Sequence, residues 1–241
     1  MHVLRTVLAL TLVVSPVAAQ HVGPDTVVRK RVPAKRIIRP WQAGAIVGLT
    51  GGAMLIDQSV RNSLHRDSTI GRSALVKFGN ALGTPLYVAP VLAVGMVAGQ
   101  AFGSKRLLGI SWRALESALF AGGTAAVLKS VIGRRRPNVE PEDPFDFGPF
   151  TFKDNSFPSG HTVVAFALAN SFAGETRDHW SDVIFYGLAS VTAYSRIKDD
   201  KHWLSDTVFG AGVGIVAARV VQRLHRPFVV TPRGVALSLT F

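Results

Sequence analysis

Between residues 41 and 221 the chain alternates long apolar stretches with short polar ones. Trp41 to Ile56 is uncharged and rich in glycine, and Ala81 to Gly103 is a longer uncharged stretch interrupted by Pro85 and Pro90. Ile110 to Leu128 is apolar except for Arg113 and Glu116, whose spacing of three lets them pair across one helical turn. Thr162 to Ala173, Trp180 to Tyr194 and Thr207 to Val221 complete the set. None shows the period of two that marks a half-buried strand, and most are too long for one. The pattern predicts an all-α bundle of about six helices, of a kind suited to a membrane. Gly44 and Gly48 are four apart and share a helix face, which predicts close helix approach there. Small residues recur in the same way at Gly210, Gly212 and Gly214.

The flanks differ in character. The first twenty residues, MHVLRTVLALTLVVSPVAAQ, combine a positive start at Arg5, a short apolar core and a small-residue site at Val17-Ala18-Ala19, which predicts an export signal over 1–19. Residues 20–40 form a linker with six basic residues between Arg29 and Arg39 and no acid among them. Such a run is a solvated linker by default, and beside a membrane segment it also serves as a topology anchor or headgroup contact. The helical domain then covers 41–226. In the tail, 227–241, Val229-Val230 and the alternating run from Val235 to Phe241 flank TPRG, the pattern of a short β-hairpin.

Composition narrows the function. The chain has 241 residues, 48% of them hydrophobic and 17% charged, which is apolar for a soluble protein and mild for a membrane bundle. With no cysteine, a disulfide framework and a thiolate metal site are both excluded. A formal charge of +12 calls for anionic partners. Phosphorylated substrates and lipid headgroups fit better than nucleic acid, because the basic residues lie between apolar segments without a nucleic-acid motif.

Three polar clusters interrupt the apolar pattern, each at a predicted helix end. KSVIGRRRP places Lys129, Arg134, Arg135, Arg136 and Pro137 at the close of the third helix. PSGH, Pro158 to His161, opens the fourth, where unpaired N–H groups and the positive dipole end suit an anion. SRIKDDKHWLSD contains Ser195, Arg196, His202 and Asp206. His202 and Asp206 are four apart and share a helix face, so the carboxylate reaches an imidazole nitrogen. A carboxylate at Nδ1–H fixes the tautomer and leaves Nε2 its lone pair, the state of a nucleophile or base. Each cluster alone has a plain structural reading: a basic helix terminus, a capped helix start, a salt-bridged histidine.

Taken together, Lys129 with Arg136-Pro137, then Pro158-Ser159-Gly160-His161, then Ser195-Arg196 with His202 and Asp206, resemble the three-part signature of the type 2 phosphatidic acid phosphatase family. Its superfamily also holds class A acid phosphatases and vanadium haloperoxidases. The resemblance covers roughly Trp41 to Arg226 and fills every signature position. It implies that His202 attacks phosphorus, that Asp206 orients it, and that His161 protonates the leaving oxygen. Lys129, Arg136 and Arg196 would bind the non-bridging oxygens, with Ser159 and the backbone N–H of Gly160. Arg134 and Arg135 fall outside the pattern and are expected to face solvent or headgroups. Neither a metal nor another cofactor is implied. Asp199 and Asp200, or Glu140, Glu142, Asp143 and Asp146, lack convincing ligand spacing.

The expected activity is phosphate or diphosphate monoester hydrolysis on lipids such as phosphatidate or a polyprenyl diphosphate. A soluble secreted acid phosphatase and a vanadate-dependent haloperoxidase are the alternatives. Topology is left open, because the basic run favours a cytoplasmic start while a cleaved signal would place it outside.

Overall fold

The computed structural model describes residues 37–65, 73–139, 143–150, 153–176, 178–224, 228–231 and 234–237. The expected export signal, most of the basic linker, and Glu140 and Glu142 lie outside them.

Seven helices make up the described body: α1 (Pro40–His65), α2 (Ala74–Leu82), α3 (Pro85–Ala101), α4 (Lys105–Ile132), α5 (Gly160–Thr176), α6 (His179–Lys198) and α7 (Leu204–Leu224). Strands β1 (Phe228–Thr231) and β2 (Gly234–Leu237) pair antiparallel, Phe228 opposite Leu237. The count of six helices is therefore corrected to seven. The stretch expected from Ala81 to Gly103 is the end of α2 plus all of α3, with a 63° bend between them. Gly83 closes α2, and Pro85 is a first-turn proline of α3 behind Thr84. A proline there lacks only an N–H that would have no partner anyway. Pro90 sits inside α3 without ending it.

Local signals set the other boundaries. Ser104 caps α4 by accepting from Leu107 N–H, and Asp178 caps α6 by accepting from Ser181 N–H. Gly133 ends α4 in the left-handed region at φ 63°, its N–H donating to the Lys129 carbonyl.

Helix α5 is the centre. It is apolar on all sides, the mark of a buried helix, and it packs on α4, α6 and α7. The closest approach is to α7: a Cβ on Gly214 would lie 2.3 Å from the Val163 carbonyl oxygen, and one on Gly210 would lie 3.1 Å from that of Ser159. At Gly44 and Gly48, by contrast, a Cβ would meet nothing within 4 Å, so that pair does not mediate helix contact. Arg113 forms an ion pair with Glu175 of α5 at 2.5 Å, which ties α4 to α5.

The outer faces are apolar. Leu55, Leu86, Val91, Val97, Leu119 and Val127 are all exposed. Three helices, Pro40–Leu64, Lys105–Ile132 and Leu204–Leu224, are long and apolar enough to cross a membrane, and the bent α2–α3 pair makes a fourth candidate.

Candidate active site

The C-terminal ends of α4 and α6 and the N-terminal ends of α5 and α7 carry the three polar clusters. From α4, Lys129 donates through Nζ to the carbonyls of Asn155 (3.1 Å) and Ser156 (2.9 Å). Arg136, just beyond α4, donates through Nε to the same Asn155 carbonyl at 3.3 Å. The segment 153–159 thus gathers the two cations beside the start of α5. Gly160 faces Lys129: a Cβ there would lie 3.8 Å from the lysine Cε. Ser159 is buried, its Oγ accepting from Thr162 Oγ1 at 2.9 Å and its N–H donating to the Asp206 carbonyl at 3.0 Å. The backbone of Gly160 heads α5, where first-turn N–H groups point outward along the axis.

His161 follows in the first turn of α5. Burial first, then the charges of Arg196, Lys129 and Arg136, lowers it to about 4. All three cations therefore act on one imidazole. Arg196, in the last turn of α6, donates through Nη1 to Asn80 Oδ1 at 2.8 Å, and Asn80 Nδ2 donates to Asp199 Oδ2 at 2.5 Å. Its Nε is buried without a hydrogen-bond partner among the described residues, as expected of a donor awaiting an anion.

His202 lies in the turn before α7, fully enclosed. Its Nδ1 is 3.5 Å from Asp206 Oδ2, facing the carboxylate but beyond a formed hydrogen bond. Burial lowers His202 to about 3 despite the opposing pull of Asp206, with Lys129 and Arg196 adding to the depression, so the ring is neutral near pH 7. With Asp206 on the Nδ1 side, Nε2 is the nitrogen left for chemistry. Asp206 accepts from Trp203 N–H at 2.9 Å through Oδ2, the N3-to-cap half of a capping box, so one carboxylate both starts α7 and faces His202.

Every signature residue predicted from sequence falls in this region. Arg134 does not behave as expected. It is completely buried, donating to Asp206 Oδ1 (2.7 Å), Ser205 Oγ (2.6 Å), Asp57 Oδ2 (2.8 Å) and the Pro144 carbonyl. An isolated buried charge is too costly to persist, and here two carboxylates answer it. Arg135, its neighbour, is half-buried and pairs with Asp146 at 2.8 Å.

Helix α1 supplies residues that the sequence reading passed over. Asp57 also accepts from Ser205 N–H (2.9 Å) and Oγ (2.6 Å). One turn on, Arg61 grips Asp200 with two bonds of 2.6 and 2.7 Å, and Asp200 holds a left-handed φ of 56°. The two α1 residues pin the turn that carries His202.

Two histidines and three cations thus gather at one end of the helical body. Residues 111–229 match the PAP2 superfamily. Two lipid A 1-phosphatases are similar in sequence: that of Porphyromonas gingivalis is 41% identical over 88 residues, 36% of this chain and 20% of that protein. That of Rhizobium johnstonii is 32% identical over 127 residues, 50% of this chain and 51% of that protein. The matches thus span about half or less of these relatives. Two crystal structures share the fold at 20% identity. Aquifex aeolicus LpxE superposes with a TM-score of 0.52, covering 69% of this chain and 92% of its own. The first transmembrane PAP2 type phosphatidylglycerolphosphate phosphatase from Bacillus subtilis gives 0.53, covering 76% and 89%.

Proposed function

We propose that the chain is a membrane-embedded phosphatase of phosphorylated lipids, working without a metal through a phosphohistidine. One observation carries the reading: a neutral, enclosed His202 faces Asp206 within reach of the charges of Lys129 and Arg196, which also act with Arg136 on His161. A bound phosphate dianion offsets the cations around His161, so that His161 takes up a proton on binding. His202 Nε2 then attacks phosphorus, the P–O bond to the lipid breaks, and the protonated His161 gives that proton to the leaving oxygen. Water, deprotonated by His161, then attacks phosphorus; the P–N bond breaks, inorganic phosphate is released, and the bond's electron pair returns to His202 Nε2. Charge spreads over the non-bridging oxygens in both transition states, and the fixed cations stabilise it there.

The sequence relatives favour a lipid A-type 1-phosphate as substrate, with phosphatidate, phosphatidylglycerolphosphate and polyprenyl diphosphate as the other members of a test panel. The exposed apolar faces and the candidate spans favour a cell-envelope membrane location over a soluble acid phosphatase. The test is rapid quench with a ³²P-labelled lipid phosphate in detergent. An alkali-stable, acid-labile phosphoprotein is expected from the wild type and none from His202→Ala. A variant that kept a tenth of wild-type turnover would overturn the assignment, and vanadate-dependent bromide oxidation would point instead to a haloperoxidase.

A further inference from the structure

An apolar groove of about 290 Å³ lies between α3, α5 and α6, with the end of α2 at its head. Leu82, Val88, Val91, Leu168, Phe172 and Leu188 are among its walls, and no charged residue lines it. Val91 is 69% exposed, so the groove opens on the outer face of the helices. Its head adjoins the active site. Gly83, next to the lining residue Leu82, is packed so tightly against α5 that a Cβ would lie 2.7 Å from the His161 carbonyl oxygen and 2.9 Å from His161 Cβ. The head of the groove is therefore one residue away from the contact with His161 at the start of α5.

That position identifies the occupant. In the mechanism above His161 protonates the leaving oxygen, and in a lipid phosphate the leaving oxygen belongs to the part that carries the acyl chains. The hydrocarbon must depart from the His161 side of phosphorus, and this groove is the one whose head comes next to the His161 backbone. We propose that it holds an acyl chain of the lipid substrate, entering sideways from the bilayer. The proposal rests on the lipid-phosphatase reading. A second groove, lined by Ile46, Phe120 and Val216 among others, lies between α1, α4 and α7, on other helices. Moving a chain from lipid to an apolar wall gains little hydrophobic free energy, since both are hydrocarbon. The groove instead fixes where the phosphoester end sits, and remote contacts of that kind raise reactivity by orientation.

Two measurements test this. First, a phosphatidate with a diazirine near the middle of one acyl chain is photolysed with the full-length protein in lipid nanodiscs, and adducts are mapped by mass spectrometry. Adducts are expected on the α3 and α6 walls, around Val91 and Leu188, and competed by excess unlabelled phosphatidate. Adducts confined to α1, α4 and α7 would overturn the assignment. Second, the ratio of kcat/KM for a long-chain to that for a dihexanoyl lipid phosphate is expected to fall at least tenfold in Leu188→Trp and in Val91→Trp. Val91 is at the exposed rim, so its variant tests the idea even where Leu188→Trp fails to fold. Val127→Trp, on the exposed face of α4 and outside both grooves, serves as the size-matched control and keeps the wild-type ratio. A ratio changed less than twofold in Val91→Trp would refute the groove. Wild-type protein inert toward both chain lengths would instead count against the lipid-phosphatase reading, and the crosslinks would still report on the groove.

Discussion

Arg134 and Asp206 meet in the interior, Nη1 to Oδ1 at 2.7 Å, with neither side chain exposed. The same guanidinium holds Asp57 at 2.8 Å and lies 5.5 Å from the ring centroids of both Phe147 and Trp203. One cation thus separates two buried carboxylates, and the chain Asp57–Arg134–Asp206–His202 runs from α1 to the proposed nucleophile. Removing the cation leaves both acids uncompensated, which for a buried pair costs about 3–5 kcal/mol. Arg134→Met is expected to lose stability of that order and to be inactive. Arg135→Ala breaks a partly exposed pair with Asp146 and is expected to cost less than about 1 kcal/mol. Thermal unfolding of the two variants in one detergent compares them directly, and equal stability would contradict the burial of Arg134.

Asp57 lies outside the segment that matches the PAP2 superfamily, yet it is two hydrogen bonds from Asp206. It is a positioning residue in this scheme. Asp57→Asn keeps the shape and removes the charge that steadies Arg134 and the Ser205 N–H. The expected result is a fall in kcat of about 10- to 100-fold, the usual scale for residues that orient a reacting group through another, with KM little changed because no substrate contact is lost. A rise in KM at constant kcat would show that Asp57 acts on binding instead.

The part of the site written in local spacing was legible in the sequence. His202 and Asp206 are one turn apart, Lys129 and Arg136 straddle a helix end, and Ser159 to His161 open a helix, so each cluster announces itself within a few residues. Arg134 with Asp57, Ser205 with Asp57, and Arg61 with Asp200 join positions 77, 148 and 139 residues apart. No periodicity links such positions, and only packing reveals them. The run GRRRP looks uniform, yet the three arginines have three fates, decided by which way the chain turns after Gly133. The glycines teach the same lesson. Gly44 and Gly48 have the spacing of a contact face, yet a Cβ at either would meet nothing within 4 Å, while Gly210 and Gly214 bring α7 onto α5.

His161 offers a test through pH. In the free site it is lowered to about 4, by burial and then by Arg196, Lys129 and Arg136. A bound dianion offsets those cations and raises it, so anion binding takes up a proton at any pH between the two values. Inhibition by sulfate, whose own charge is constant in this range, is expected to strengthen by about tenfold per pH unit as pH falls through that window. Below about 4 it levels off, because His161 is then charged before the anion arrives. His161→Gln is expected to flatten the profile. A wild-type inhibition constant independent of pH between 4 and 7 would mean that His161 does not sense the bound anion.

The two histidines are separable by leaving group. A lipid alkoxide has a conjugate acid far weaker than water's neutral range demands and needs a full proton as the P–O bond breaks. A p-nitrophenolate is stable near neutral pH and departs with little help. General acid catalysis is worth about 10²- to 10⁴-fold, and by Brønsted behaviour that benefit shrinks as the leaving group improves. His161→Ala is therefore expected to slow alkyl phosphates by that range and p-nitrophenyl phosphate much less, whereas His202→Ala abolishes both, since every substrate needs the nucleophile. The comparison belongs to the phosphorylation step, read from burst kinetics, because hydrolysis of the proposed phosphohistidine would be the same for all substrates. In the proposed second step His161 takes a proton from water, so steady-state rates of the variant are expected to fall for both substrates and conceal the difference. An equal loss for both leaving groups in the burst itself would make His161 a phosphate ligand and leave the proton to come from solvent.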